Sequence, residues 1–446
     1  MLKLYLVHHA IIEGVLEMSI EEILLKIEGL SEEVVEICSQ LIQRPSDHPE
    51  GRTDGCVEYI KDYFDGLGID NQVYQRDEGK PNIVVRVKGA SGRKILWVGH
   101  NDVVPVGEPD SWKYPPFSGT VADGKVWGRG ASDMKGSNAS AIIAARVLSE
   151  VGCPHDVDFW FTSDEEVGGG AGARWLADEQ IFEGEVAIIG DASGCDPGMV
   201  NVGVGHKGGI GSRLVAEGKT AHGSTPYLGD NAIDKLLKVI PYVKRLSEFR
   251  LDIPTDLEPI VESTTEHMLK DDTLDDEQRK AVERLFYYPS GPSLNIFNGG
   301  VKGNVVPDRA MCRFDIRLTP GVDAAKVKER LEELVAEANV PGVTLMARAA
   351  PRVGYYEKAD EPSVISLVKT VERVTGEKPP LTLLPWGTDA TSIKRNLKTE
   401  RHPDGIPNLL FGPMLRDQLH QSNEYVTTGN LVTAAKVYSV FPFYYE

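Results

Sequence analysis

Four apolar runs in this chain end on, or just before, a histidine or an acid. KILWVGH closes on His100, VDFWFTS leads into Glu165 and Glu166, EVAIIGD closes on Asp191, and NLLFG lies ahead of His420. Runs of this length and composition read as strands. Helical patterns such as MKGSNASAIIAARVLSE separate them. Strands alternating with helices predict an α/β fold with a mainly parallel sheet flanked by helices, and such sheets bind ligands at the carboxyl ends of their strands.

The pattern changes after residue 206. GIGSRLVAEG reads as a strand, NAIDKLLKVIPYVKRLSEF as a helix bent at Pro241, and SLNIFNGG and RAMCRFDIRL as strands. In the last of these Ala310, Cys312, Phe314, Ile316 and Leu318 alternate with Arg313, Asp315 and Arg317. Asp323 is placed to cap the helix AAKVKERLEELVAEA, and VTLMARA follows as a strand. The order β-α-β-β-α-β predicts an inserted ferredoxin-like α+β domain. From about residue 355 the first pattern resumes, so 1–206 and 354–446 make one domain and 207–353 the insert. A chain of 446 residues exceeds one ordinary core, in keeping with two domains. Residues 252–291 carry 11 acids and 4 bases and read as a solvated helical excursion.

A formal charge of −19 argues against nucleic acid or an anionic membrane as partner. Five scattered cysteines without a C-x-x-C pair argue against zinc-finger and disulfide scaffolds and point to a reducing cytoplasm. No apolar run reaches the roughly 18 residues of a membrane helix. Residues 1–17, interrupted by His8, His9 and Glu13, make a poor signal peptide. They read as a start-site artefact or a loosely ordered arm.

The acids and histidines that follow the strands suit divalent metals. Two metals about 3.5–4 Å apart need a bridging carboxylate and terminal His or carboxylate ligands. Asp133, short-chained in the glycine-rich loop GRGASDMKG, is the expected bridge. His100 and Asp191 complete one metal, Glu166 and His420 the other. Asp102, two residues after His100, is expected to accept a hydrogen bond from its imidazole. Glu165 and Glu166 repel each other as neighbours, and cations relieve that repulsion. In an extended segment they point opposite ways, Glu166 to a metal and Glu165 into the cleft as general base for a metal-activated water.

GHNDVVP, GRGASDMKG, DEEVGG, GDAS and the series GP…H..NEY resemble, in that order, the successive motifs of the di-zinc deacylase and exopeptidase family. That family includes acetylornithine deacetylase, succinyl-diaminopimelate desuccinylase, aminoacylase and glutamate carboxypeptidase. The resemblance runs from about residue 20 to the end. It implies a zinc-exopeptidase-type catalytic domain, the ligand set just given, and two divalent ions, Zn2+ or alternatively Co2+ or Mn2+. It implies cleavage of an amide bond beside a free carboxylate, in an N-acyl amino acid or a short peptide. It also implies that the inserted domain is a lid that forms a homodimer. His222 in TAHGS then reaches a second subunit's site to stabilise the oxyanion. Asn304 in GNVVPD and Arg317 in DIR match positions that bind the substrate carboxylate. Lys207 after VGVGH and Gly412 in the GP motif are further candidates for substrate contact.

Three departures bear on substrate choice. MLRDQLH precedes His420, Thr391 stands in WGTDATSI where relatives often carry arginine, and residues 252–291 are long. Asp191 in place of Glu resembles the acetylornithine deacetylase branch. Within the same family the alternative activity is that of a dipeptidase or carboxypeptidase, and outside enzymes it is an inactive metal-binding scaffold. GVGHKG at 203–208 matches G-x-G-x-x-G, but a strand is expected after it, where a dinucleotide site needs a helix. No G-x-S-x-G nucleophile elbow occurs.

Overall fold

The computed structural model of the chain describes residues 20–347 and 352–446. The reading of residues 1–17 therefore lies outside the described residues. Two compact units result. The first takes the chain through Val204 together with Glu357–Thr382 and Thr388–Glu446, and the second takes Gly205–Tyr356 together with Leu383–Gly387.

In the first unit Asp156–Thr162, Lys94–His100, Val186–Gly194 and Asn408–Gly412 lie side by side and run parallel. Antiparallel strands flank them: Pro81–Val87 and then Asn71–Gln75 on one side, Val202–His206 on the other. The architecture is thus α/β with a mainly parallel central sheet. Val186–Gly194 is buried along its whole length, and Lys94–His100 and Asp156–Thr162 from their second residues on. Such strands carry no polar face because helices cover both sides of the sheet. The helix Gly136–Val151 contributes Ala139, Ala141, Ala144 and Ala145 to the interior. Short side chains let it lie close to the helix Thr428–Tyr444, and Ser140 Oγ donates to the Leu431 carbonyl across that contact (2.9 Å). Trp97, Phe159 and Phe161 fill the space under the sheet, and Tyr438 meets Trp97 edge-on at 5.5 Å.

In the second unit four antiparallel strands stand in the order Ser290–Gly299, Arg309–Leu318, Gly208–Glu217, Val343–Ala347. The helices Ala232–Lys244 and Ala324–Glu337 pack on one face, where Leu236, Val239, Leu331 and Leu334 meet Leu214, Phe314 and Ile316. Asn231 caps the first helix and Asp323 the second. Gly208–Glu217 follows GVGHKG as a strand, so no helix N-terminus is present there to receive a pyrophosphate.

The acidic excursion is not solvated throughout. It forms the helices Glu258–Met268 and Asp276–Arg284, and Leu257, Ile260, Val261 and Thr264 are buried. Their helical spacing is masked in composition by the acids between them. The segment Leu383–Gly387 returns to this unit, and the Leu383 N–H donates to Thr264 Oγ1 (3.0 Å).

Candidate metal centre

His100 is the last residue of its strand, so the sheet holds its backbone while its ring emerges at the carboxyl edge. Asn138 Nδ2 donates to its carbonyl (2.7 Å). Its Nδ1 lies 2.9 Å from the Asp102 backbone carbonyl, which accepts the ring hydrogen. That fixes the tautomer and turns Nε2, with its lone pair, toward the cluster.

Asp133 faces it from the loop that opens Gly136–Val151. Glu424, fully buried, shapes this loop by accepting the N–H groups of Gly130 (3.0 Å), Ser132 (2.8 Å) and Asp133 (3.0 Å). Arg129 neutralises the same carboxylate at 2.6 Å. Asp133 then presents Oδ1 to His100 Nε2 (3.2 Å) and Oδ2 to His420 Nε2 (3.5 Å). Each oxygen serves a different imidazole, as a bridging carboxylate requires. His420 Nε2 also lies 3.5 Å from Glu166 Oε2.

Two sets of candidate ligand atoms each lie within 4.8 Å of one another: His100, Asp133 and Glu166, and His100, Glu165 and Asp191. Glu165, read from the sequence as a base, thus lies among the candidate ligands. The His100 Nε2 and Glu166 Oε1 atoms are buried without a hydrogen-bond partner. Buried polar atoms of that kind need a partner, and a cation would satisfy both. The set of imidazoles and carboxylates fits hard or borderline divalent metals.

Two expectations are corrected. Glu165 and Glu166 stand in a 3-10 turn, Glu165–Val167, not in an extended segment. Their side chains part because the turn rotates successive residues apart. The Asp102 carboxylate does not hold His100, whose Nδ1 is 3.7 Å from Oδ1 and is served by the Asp102 carbonyl instead. That carboxylate accepts the N–H groups of Glu165 and Glu166 (3.1 Å each) and lies 2.9 Å from His48 Nε2. Asp102 therefore positions the glutamate pair.

The electrostatics are those of a cavity short of positive charge. Burial raises the Glu165 carboxyl well above its ordinary range; His100 opposes this, and Asp389 and Asp191 add to it. Burial likewise raises Asp191, and the Asp133 charge adds to the effect. Burial pushes Asp389 up to about 7. For Asp133, burial is outweighed by His100 and His420, and its carboxyl sits below the usual range. His420 is pushed up to about 10, first by Asp133 and then by Glu166. His48, Asp389 and Glu424 are the contributors that the sequence reading did not single out. Glu424 and Asp389 stood inside quoted motifs, whereas nothing local marks His48.

The remaining candidates are not among these two sets of ligand atoms. In the second unit His222 and Asn304 are exposed neighbours: His222 bridges Val305, and the Gly223 N–H donates to the Asn304 carbonyl (2.8 Å). The Ser224 N–H donates to His222 Nδ1 (3.2 Å), which leaves the ring hydrogen on Nε2. Arg317 Nε reaches both oxygens of Asp315 (2.9 and 3.0 Å). Lys207, expected to contact substrate, is buried, and its ammonium donates to Ser290 Oγ (2.7 Å) and the Leu285 carbonyl. Lys207 stands between the strands Val202–His206 and Gly208–Glu217, and these two acceptors take up its ammonium in the interior. Gly412, also expected to contact substrate, is buried in its strand, where a Cβ would come within 2.3 Å of the Gly190 carbonyl and 2.6 Å of the Ala192 carbonyl. Its role is to make room for the segment that carries Asp191.

Comparison with known proteins gives the family. Residues 96–442 match the family described as peptidase family M20/M25/M40. The probable succinyl-diaminopimelate desuccinylase of Staphylococcus epidermidis is 28% identical, over 91% of this chain and 95% of that protein. Among solved structures, the M20 family metallo-carboxypeptidase Sso-CP2 from Sulfolobus solfataricus is similar with a TM-score of 0.75, at 20% identity over 93% of this chain and 99% of that one. The di-peptidase Dug1p from Saccharomyces cerevisiae is similar with a TM-score of 0.76, at 18% identity over 96% and 98%. A dinuclear metal binding peptidase from Bacillus subtilis shares the fold at a TM-score of 0.61, with 15% identity over 94% and 98%. The chain is a member of peptidase family M20/M25/M40, a metal-dependent hydrolase of amide bonds.

Proposed function

We propose that this protein removes the acyl group from an N-acyl amino acid, using two divalent ions, with zinc as the metal. The observation that carries the reading is the Asp133 carboxylate set between His100 and His420, beside the unpartnered His100 Nε2 and Glu166 Oε1. His100, Asp133, Glu166, Asp191 and His420 are the ligands. The relatives named as probable desuccinylases support a deacylase over a dipeptidase or carboxypeptidase.

When bound, the ions supply Lewis-acid polarisation of the carbonyl and a lowered pKa for water. Glu165 takes the proton of the attacking water and returns it to the leaving amine. Asp102 holds Glu165 and Glu166 by their N–H groups, so base and ligand keep a fixed spacing. Asn304 and Arg317 hold the substrate carboxylate. The second unit serves as a lid that pairs two copies, and His222 Nε2–H of a second copy supports the oxyanion. Five cysteines, all free, favour a cytoplasmic setting. Among the described residues no helix is long and apolar enough to cross a membrane.

The test is Glu165→Ala with zinc content measured alongside hydrolysis of N-acetyl, N-succinyl and dipeptide substrates. Turnover is expected to vanish with metal retained. Wild-type-like turnover would remove Glu165 as base, and hydrolysis of dipeptides alone would favour the peptidase.

A further inference from the structure

The Asp102 carboxylate meets three donors. Oδ1 accepts the Glu165 N–H and Oδ2 the Glu166 N–H, at 3.1 Å each. Oδ2 also accepts the ring hydrogen of His48, whose Nε2 lies 2.9 Å away, since a carboxylate can only accept. Among the described residues that is its one side-chain hydrogen bond. The last torsion of an aspartate is broad, so a carboxylate held by backbone N–H groups of a single turn can rock. A donor carried on a separate segment takes that freedom away.

His48 is itself fixed, in backbone and in ring. Its N–H donates to the Val103 carbonyl (3.1 Å), the Val103 N–H donates to the Ser46 carbonyl (3.2 Å), and Ser46 Oγ donates to the Asn101 carbonyl (2.6 Å). Asp47 and Val103 form a parallel bridge between these contacts. Residues 46–48 therefore run beside 101–103, which sets His48 in register with the segment that carries Asp102. The ring lies over Gly51, where φ is +55° and a Cβ would come within 2.4 Å of His48 Cε1, so the bare Cα leaves the imidazole its seat. A buried histidine is most often a satisfied core group. The bond of this buried ring goes instead to the carboxylate that spaces Glu165 and Glu166.

We propose that His48 is a positioning residue of the hydrolytic site. By fixing the plane of the Asp102 carboxylate, it holds the turn that carries Glu165 and Glu166 and keeps base and ligand at a constant spacing. It moves no proton itself. The inference rests on the reading above, in which Glu165 is the base and Glu166 a ligand.

The experiment takes His48→Leu, which removes the donor, and His48→Gln, whose amide nitrogen can stand where Nε2 stands, with His48→Leu also made on top of Asp102→Asn. Zinc-loaded His48→Leu is expected to lose about tenfold in kcat on whichever N-acetyl, N-succinyl or dipeptide substrate the wild type cleaves, with KM and zinc content within about twofold of wild type. His48→Gln is expected to recover about half or more of the wild-type kcat. On top of Asp102→Asn, His48→Leu is expected to cost less than about twofold more, since the carboxylate it acts through is gone. In the metal-free proteins the Glu165 and Glu166 amides, followed by deuterium uptake in residues 160–170, are expected to exchange about tenfold faster in His48→Leu while the unfolding temperature holds. Wild-type kcat in His48→Leu, wild-type exchange at those two amides, an equal loss in His48→Gln, or a full further loss on top of Asp102→Asn would overturn the proposal. Should His48→Leu fail to fold, His48→Asn, whose amide stops short of Asp102, carries the same expectations. If Glu165→Ala keeps turnover, or no substrate is cleaved, the base reading fails, and exchange at the two amides alone judges His48: faster exchange sustains the proposal and unchanged exchange overturns it.

Discussion

Glu424 lies outside the candidate ligand set, yet it shapes the loop that presents the central ligand, and its removal gives a calculable result. Its carboxylate accepts three backbone N–H groups and the Arg129 guanidinium, and both side chains are buried. Replacing Glu424 by Leu leaves Arg129 uncompensated, a loss of about 3–5 kcal/mol for a buried pair broken from one side. It also orphans the N–H groups of Gly130, Ser132 and Asp133, at about 1–3 kcal/mol each when no partner replaces the acceptor. The second variant, Arg129→Leu together with Glu424→Leu, removes the stranded charge, and doubly apolar replacements of buried pairs are often neutral. Here the double variant is expected to remain about 3 kcal/mol or more below the wild type, because the three N–H groups stay orphaned. Urea unfolding of the metal-free proteins measures both differences. Zinc affinity is expected to fall in parallel, since Asp133 loses the anchor of its own N–H. Recovery of the double variant to within about 1 kcal/mol of wild type would refute the reasoning and reduce Glu424 to an ion-pair partner.

Other consequences are open to measurement. Asp102→Asn is expected to keep zinc bound while lowering kcat about 10- to 100-fold, the usual range for losing a group that orients a ligand; unchanged kcat would detach Asp102 from the glutamate pair. Gly412→Ala places a methyl group against the Gly190 and Ala192 carbonyls and is expected to displace Asp191, lowering metal stoichiometry at one site; two metals per chain with wild-type affinity would contradict this. Glu357, whose carboxylate meets Lys394 and accepts the Asn408 N–H, is pushed up by burial to about 7. A carboxyl raised on folding contributes stability that is present below its unfolded value of about 4.3 and lost as pH climbs through 7. Glu357→Gln is therefore expected to flatten the decline in stability between about pH 4 and 7, by about 3 kcal/mol across the window, as read from urea midpoints in a pH series.

Much of the site could be read in the sequence because the sheet does the assembling. His100, Glu165, Glu166 and His420 follow apolar runs, and a mainly parallel sheet gathers such ends on one edge. Asp191 lies within its strand rather than at its end, because the strand continues past it to Gly194. Contacts that depend on which atom of a residue turns inward stayed hidden. The Asp102 carbonyl and its carboxylate have separate tasks, and no spacing rule divides them. Lys207 and Gly412 carried motif-like positions, but tertiary burial assigns both to packing. His48 comes from a turn with no periodic signal and enters only through its contact with Asp102. In the excursion at 252–291, acids outnumber the buried positions that set its orientation, so composition concealed the face.

The grip of Glu424 on residues 130–133 spans almost three hundred positions of chain. During synthesis the Asp133 loop is made early and stays without its shaping carboxylate until residue 424 has been polymerised. His420 arrives in the same late stretch. A ribosome-bound chain stalled before that point would lack the finished ion cradle, so loading with metal is confined to the final moments of translation or afterwards.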